Sequence, residues 1–213
     1  MFKLLGFKGC FDIAWYYQKY NNYVEFFLGP WLTAEQEPKP FYRYGFKFFN
    51  TGQARIMGVD ANIAGEGNIG KKVKYTLYFA YSYTNPKVID TNKIFTSTKT
   101  NDYCYMNTSS DTNGQIMKYR IEHMLKLDFN FKFFDLFSVG MNAQYYSLMK
   151  NVDNFFYTMD RFNEDAPRSV INSRQAFPFD GLQAYRESHR SGTWVWGLTA
   201  NVELWNIKLS VLV

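Results

Sequence analysis

Three features of the 213-residue sequence predict an all-β fold, an antiparallel transmembrane β-barrel segment. Apolar and polar side chains alternate with period two through seven stretches, short turns alternate with long polar connections, and aromatic residues make up 20% of the chain. Period two is what a pleated strand imposes, because successive Cβ atoms point to opposite faces. No run of 18 apolar residues occurs, so a membrane-crossing helix is excluded. Disorder is excluded too, since chains that stay unfolded are poor in aromatic residues.

The first strand, Phe7 to Gln18, sets Phe7, Phe11, Ile13, Trp15 and Tyr17 against Lys8, Cys10, Asp12, Ala14 and Gln18. The second, Arg55 to Glu66, sets Met57, Val59, Ala61 and Ile63 against Gly58, Asp60 and Asn62. In the third, Val73 to Thr84, the odd positions Val73, Tyr75, Leu77, Phe79, Tyr81 and Tyr83 oppose Lys74, Thr76, Tyr78, Ala80, Ser82 and Thr84. The fourth is read over Lys118 to Phe133, which places Lys118, Arg120, Lys126 and Lys132 on one face with Glu122 and Asp128. The fifth opposes Phe137, Val139, Met141, Ala143 and Tyr145 to Ser138, Gly140, Asn142 and Gln144. The sixth, Thr193 to Leu204, alternates with Val195 as its one lapse, and Ile207, Leu209, Val211 and Val213 begin a seventh. No segment shows a convincing helical period. Enrichment in β-branched and aromatic residues agrees with strands throughout.

The connections carry as much information. Strands two and three are joined through GEGNIGKK, four and five around Phe134 and Asp135, and six and seven through Trp205 and Asn206, all suited to tight turns. The others, roughly 18–54, 85–117 and 151–192, are long and rich in Asn, Asp, Ser, Thr and Pro. Compact domains rarely hold structureless loops beyond about 15 residues, whereas short turns at one end and long loops at the other are the layout of an outer-membrane barrel. Hydrocarbon offers the backbone no hydrogen-bond partner, so a spanning sheet must pair its strands, turn apolar side chains to lipid and keep polar ones toward a wet lumen. Tyr and Trp near strand ends suit the headgroup region.

The net charge of +5 does not point to nucleic acid, because the basic residues are scattered among acidic ones. Cys10 and Cys104 have neither metal-ligand nor CxxC spacing and are expected to be one small buried residue and one loop thiol. At the amino end Lys8 and Asp12 interrupt the apolar stretch, so no export signal is read there. The seventh strand stops short of the roughly 9–11 residues a span needs, and seven is odd where single-chain bacterial barrels are even. Residues 1–213 are therefore expected to be a partial barrel, cut at both ends.

The stretch FNTGQARIMGVDANIAGEG, 49–67, resembles the approach to a barrel strand in TonB-dependent outer-membrane receptors, through Asn50, Gly52, Ala54, Arg55, Gly58, Val59 and Asp60. FKGCFDIAWYYQKYNNYVEFFLGPW, LYFAYSYTNP, KYRIEHMLKLDFNF and YRESHRSGTWVW look like the Bacteroidota form of the same family, in the expected order. The resemblance implies a 22-stranded barrel filled by a plug, importing a scarce nutrient with energy delivered through TonB. At about 30 residues per strand such a barrel needs roughly 670 residues, so this chain corresponds to about a third of one, in its later part. The implied partners are outer-membrane lipid, the rest of the barrel and its plug, the TonB complex through that plug, and a surface lipoprotein.

Tyr20, Tyr23, Phe26, Phe27 and Trp31 in the first connection are candidates for a platform binding sugar, haem or an aromatic chelator, or for packing the tops of strands that outrun the membrane. Tyr185, Arg186, His189 and Arg190 are candidates for an anion-binding rim. Asp153, Asp160, Glu164 and Asp165 lack the spacing of a calcium loop and read as solvated surface, and His123 reads as an interfacial side chain. The Asn107-Thr108-Ser109 sequon is discounted on a bacterial surface loop. No nucleophile has a base at a suitable spacing and no phosphate loop is present, so neither catalysis, nor a metal, nor a cofactor is expected.

The expected function is the barrel portion of a TonB-dependent receptor in the bacterial outer membrane, taking up a metal chelate, haem, cobalamin, a glycan or a peptide, with ligand-contact candidates Tyr23, Phe26, Trp31, Arg186 and His189. Two other classes compete. A self-contained small barrel would serve as an adhesin or passive pore. A soluble barrel binding a hydrophobic ligand would turn Phe129, Phe131, Trp194 and Trp196 inward.

Overall fold

A computed structural model describes residues 1–4, 6–29, 31, 45–97, 102–111, 113, 115–134, 136–165, 181–204 and 207–212. Asp135, the Trp205–Asn206 turn, Val213 and the side chains of Glu164 and Asp165 lie outside the described residues. One antiparallel sheet of eight strands runs in chain order: β1 (Phe2–Leu4), β2 (Phe7–Gly29), β3 (Gly45–Ile69), β4 (Val73–Val88), β7 (His123–Phe133), β8 (Phe137–Tyr146), β9 (Thr193–Leu204) and β10 (Ile207–Leu212). A separate hairpin, β5 (Ile94–Ser97) with β6 (Asp102–Cys104), sits in the connection between β4 and β7. The sheet is open, with β1 and β10 at its edges.

The register gathers most of the strands' apolar residues on one face, with Val195 and Tyr78 as exceptions on the other. Ile13 faces Ala61, which faces Tyr81, then Leu125, Tyr145 and Trp194 across successive strands. A second row runs Ile63, Phe79, Leu127, Ala143 and Trp196. Aromatics gather at both margins of this face: Phe7 stacks on Tyr75 and Phe133 on Phe137 near the short turns, while Trp15 stacks on Tyr17 and Tyr145 meets Trp194 toward the long connections. From Tyr75 to Tyr83 β4 rises about 26 Å, which matches an apolar band about 25 Å tall between two aromatic girdles. His123 stands in the upper girdle, its Nδ1 2.8 Å from the Tyr81 hydroxyl and its ring on Tyr83.

The apolar face is not a closed interior. Trp194 and Trp196 are 48% and 59% exposed, and Phe129 and Phe131 are not buried. The other face is held by polar neighbours: Ser82 donates to Asp60, Asn142 to Asp128, Lys132 Nζ lies 3.2 Å from Glu203 Oε2, and Asn201 donates to Ser138 at 3.1 Å. It carries a shallow trough of ≈ 490 Å³ whose floor includes Gly140 and Gly197 between Asp128, Asn142 and Thr199. Cys10, expected to be buried or in a loop, is exposed on this face, and Cys104 is half-buried at the end of β6.

Several expectations need correction. The sheet has an eighth strand, because Phe2–Leu4 folds back on Phe7–Gly9. The first connection is far shorter than expected, since β2 continues to Gly29 and β3 begins at Gly45, as strands of 23 and 25 residues. Among the described residues three helices are present: α1 (Tyr105–Thr108), α2 (Phe155–Asp165) and α3 (Leu182–Ser188). The fourth predicted strand starts at His123 rather than Lys118, because Tyr119 takes a left-handed φ of 58° and Lys118 turns into a buried ion pair.

Candidate functional site

About ten residues of each strand suffice to cross the membrane, so the upper halves of β2 and β3 stand beyond it. A bulge between Tyr20 and Val24 marks the change, opposite Asn50, Thr51 and Gly52. Gly52 takes φ +86°, its amide donates to Asn50 Oδ1 at 2.8 Å, and a Cβ there would come 2.4 Å from Asp90 Oδ2. Extra residues in a strand shift its pleat, and a one-residue shift exchanges the two faces. Below the bulge the odd residues Phe11 to Tyr17 are exposed; above it Glu25 and Phe27 are buried while Val24 and Phe26 are exposed.

The inward residues seed a core shared by three chain segments. Phe27, Ala54, Val88, Tyr105 and Met117 are fully buried, with Tyr23, Trp31, Phe49, Ile56 and Phe95 packed against them. Leu28 joins Val152 and Phe156 in a second cluster with Tyr119 and Leu182. The long connections therefore fold over the strand tops.

A buried polar knot ties them together. Lys118 Nζ lies 2.9 Å from Asp153 Oδ1, both side chains are 0% exposed, and Lys118 also donates to Thr108 Oγ1 and sits 3.9 Å from the centre of the Phe27 ring. Asp153 Oδ2 accepts the Leu28 amide at 2.7 Å and the Tyr119 hydroxyl at 2.6 Å. Asn151 accepts from Ser109 Oγ and donates to Tyr105 Oη and the Ile116 carbonyl. Burial raises the phenols of Tyr105 and Tyr119 and lowers Lys118, whose ammonium is held toward its charged form by Asp153. Glu25 is buried beside this knot, and loss of solvent pushes its carboxyl up to about 7 although Arg120 and Lys118 pull the other way.

The expected solvated acidic cluster is thus partly internal. Asp153 holds Lys118, and Asp160, 3% exposed, accepts the Gly181 and Gln183 amides at the start of α3. Burying these carboxylates is tolerable because each is paired or fully hydrogen-bonded. Sequence spacing misses both, because the partners lie far away in the chain. Among the described residues no group of three His, Cys, Asp or Glu side chains is placed to hold a metal ion. Thr108 and Ser109 of the sequon are buried.

The aromatic platform candidates separate. Phe27 is core, Trp31 donates its indole N–H to the Phe27 and Gly45 carbonyls at 3.2 and 2.9 Å, and Tyr23 accepts from Arg120 Nη2 at 2.9 Å. Phe26 stays partly exposed, stacked on Tyr119 and edge-on to Phe46 and Phe48, so an open aromatic strip remains on the outward side. The rim candidates do gather at α3. Arg186 Nε donates to Tyr157 Oη at 2.8 Å, and His189 stacks on Tyr185 with ring centres 4.0 Å apart. Lys150 beside them pairs with Glu122.

The sequence profile of the family described as TonB dependent receptor-like, beta-barrel matches residues 2–212. The chain belongs to that family. This TonB-dependent receptor barrel is an outer-membrane protein, and its family acts as receptors and transporters rather than enzymes. Plug domain, TonB and membrane lipid are the partners that membership implies. No match was found among curated proteins or solved structures. In the receptor's motif, Asn50 and Gly52 build the bulge, Ala54 lies in the loop core, and Gly58 lies under the Tyr16 ring, whose hydroxyl reaches Thr84 Oγ1 at 2.9 Å.

Proposed function

We propose that residues 1–213 form a partial barrel unit of a receptor that imports a scarce nutrient, a metal chelate, haem, cobalamin, a glycan or a peptide, through work done by TonB on the plug. The chain supplies passive wall and an extracellular loop assembly, further wall strands pair with its open edges, and a surface lipoprotein is a candidate partner. Ligand contact is assigned to the loop tops, with Phe26 on the exposed aromatic strip, Arg186 and His189 at the rim, and Tyr23 and Trp31 bracing the β2–β3 tops that carry Phe26. The observation that carries this reading is the receptor-barrel match over residues 2–212 on a wall whose strands rise past the lipid band into a packed loop core. The test is a deletion strain grown on limiting panels of the five nutrient classes, with uptake measured for any class that fails to support growth. Loss of uptake for one class, and its weakening by Phe26→Ala or Arg186→Ala at unchanged surface expression, is expected. Unchanged uptake of every class would refute the import role.

A further inference from the structure

Glu25 lies just above the bulge in β2, 5% exposed, with Oε2 buried and lacking a hydrogen-bond partner. Two other buried carboxylates with an unbonded oxygen, Asp153 and Glu122, are each neutralised by a contacting ammonium, Lys118 and Lys150. No such cation touches Glu25 among the described residues. Tyr23 precedes it on its own strand, and Phe49 is its cross-strand neighbour in β3. Arg120, Lys118 and Tyr119 face it from the second long connection together with Tyr105, and Asp153 faces it from the third. Both cations are already engaged: Lys118 with Asp153, Thr108 and two aromatic rings, Arg120 with the Tyr23 hydroxyl.

Two states follow from this arrangement. With Glu25 neutral, the junction contains one matched ion pair and an uncharged carboxyl. With Glu25 ionised, two buried anions compete for Lys118, and a desolvated carboxylate is stable only if a cation or water reaches it. Either route draws Lys118 or Arg120 off its present partner or opens the core. We propose that Glu25 is a proton-operated latch on the extracellular loop assembly, holding the β2–β3 tops, the β4–β7 connection and the β8–β9 connection together when protonated and releasing them when ionised. The position of the titration, near neutrality, sets the switch within the range that an external medium spans. Because the folded carboxyl binds its proton more tightly than a free one, the closed state weakens as pH rises from about 4.5 through about 7.

Hydrogen exchange by mass spectrometry on the complete receptor in bilayers tests this. Peptides covering 23–29, 105–110 and 151–154 are followed from pH 5 to 8.5 in the wild type and in Glu25→Gln, so that the intrinsic pH dependence of exchange cancels. Relative to Glu25→Gln, wild-type protection in these peptides should fall by roughly 10- to 100-fold across the range, while peptides from 123–133 in the wall stay unchanged. Parallel curves for the two proteins would overturn the proposal. If Glu25→Gln fails to insert, the wild-type ratio of latch to wall protection decides alone: a pH-independent ratio overturns it, and a ratio falling with a midpoint near 7 supports it.

Discussion

Removing the carboxylate of Asp153 while keeping its shape, as in Asp153→Asn, should open the loop assembly and leave the wall intact. The structure sets the size of the effect. Lys118 is completely buried, and without Asp153 the contacts of its ammonium among the described residues are Thr108 and two aromatic faces, with the Glu25 carboxyl the nearby acid left to answer its charge. An uncompensated buried charge of this kind costs about 3–5 kcal/mol, equivalent to roughly 10²- to 10⁴-fold more frequent opening. Three amides report it directly, because they bridge the connections: Tyr119 to the Asn151 carbonyl at 2.8 Å, Ser110 to Val152 at 2.9 Å and Asn154 to Thr108 at 2.9 Å. Their exchange should accelerate by that factor in Asp153→Asn. The double variant Lys118→Met with Asp153→Asn should recover more than half of the loss, since an apolar chain of similar length needs no counter-charge. Exchange in Asp153→Asn within about threefold of wild type, or a double variant as poor as the sum of the singles, would refute a matched buried pair.

Leu198→Arg, on the exposed apolar face, should destabilise the inserted barrel by about 2–4 kcal/mol, whereas Gln144→Arg on the polar face should cost under about 1 kcal/mol; folding titrations into lipid vesicles compare them. Gly58→Val should block correct insertion, because a Cβ there meets the Tyr83 carbonyl at 2.3 Å and the Tyr16 phenol at 2.5 Å, and heat-modifiable gel mobility would show the loss. Stability of the loop assembly should be greatest below about pH 4.5 and fall by roughly 3 kcal/mol as pH rises through about 7; Glu25→Gln should remove that slope in pH-dependent proteolysis of the loops. Phe27→Ala, which empties a fully buried ring site shared with Tyr105 and Phe95, should cost about 3–5 kcal/mol in the same assay.

The wall was legible because lipid on one side and water on the other force every strand to separate by parity. Rows such as Ile63, Phe79, Leu127, Ala143 and Trp196 stand where alternation placed them. The loop assembly was not legible, for the same reason in reverse. At the bulge the parity changes, so Glu25 and Phe27 fall out of phase with Trp15 and Tyr17 and read as loop. Asp153 looks like a surface acid until Lys118, far back in the chain, is brought beside it. Lys118 in turn fits the fourth strand by an alternation that continues through Tyr119, although a left-handed residue there ends the pleat. The helices leave little periodic trace in the sequence, because α1 and α3 are only one or two turns long and α2 starts within a segment dense in polar residues. The FNTGQAR motif marked the family, yet its physical meaning, a bulge that aims residues into a loop core, required the register.

The central claim, a wall with one face in lipid and the other toward a wet lumen, is tested most directly by spin labels placed one at a time from Trp194 to Asn201 in the receptor reconstituted in bilayers. Accessibility to dissolved oxygen, against that to a water-soluble nickel chelate, should alternate with period two, oxygen favoured at 194, 196, 198 and 200 and nickel at 195, 197, 199 and 201. A flat profile, or the opposite phase, would contradict the account.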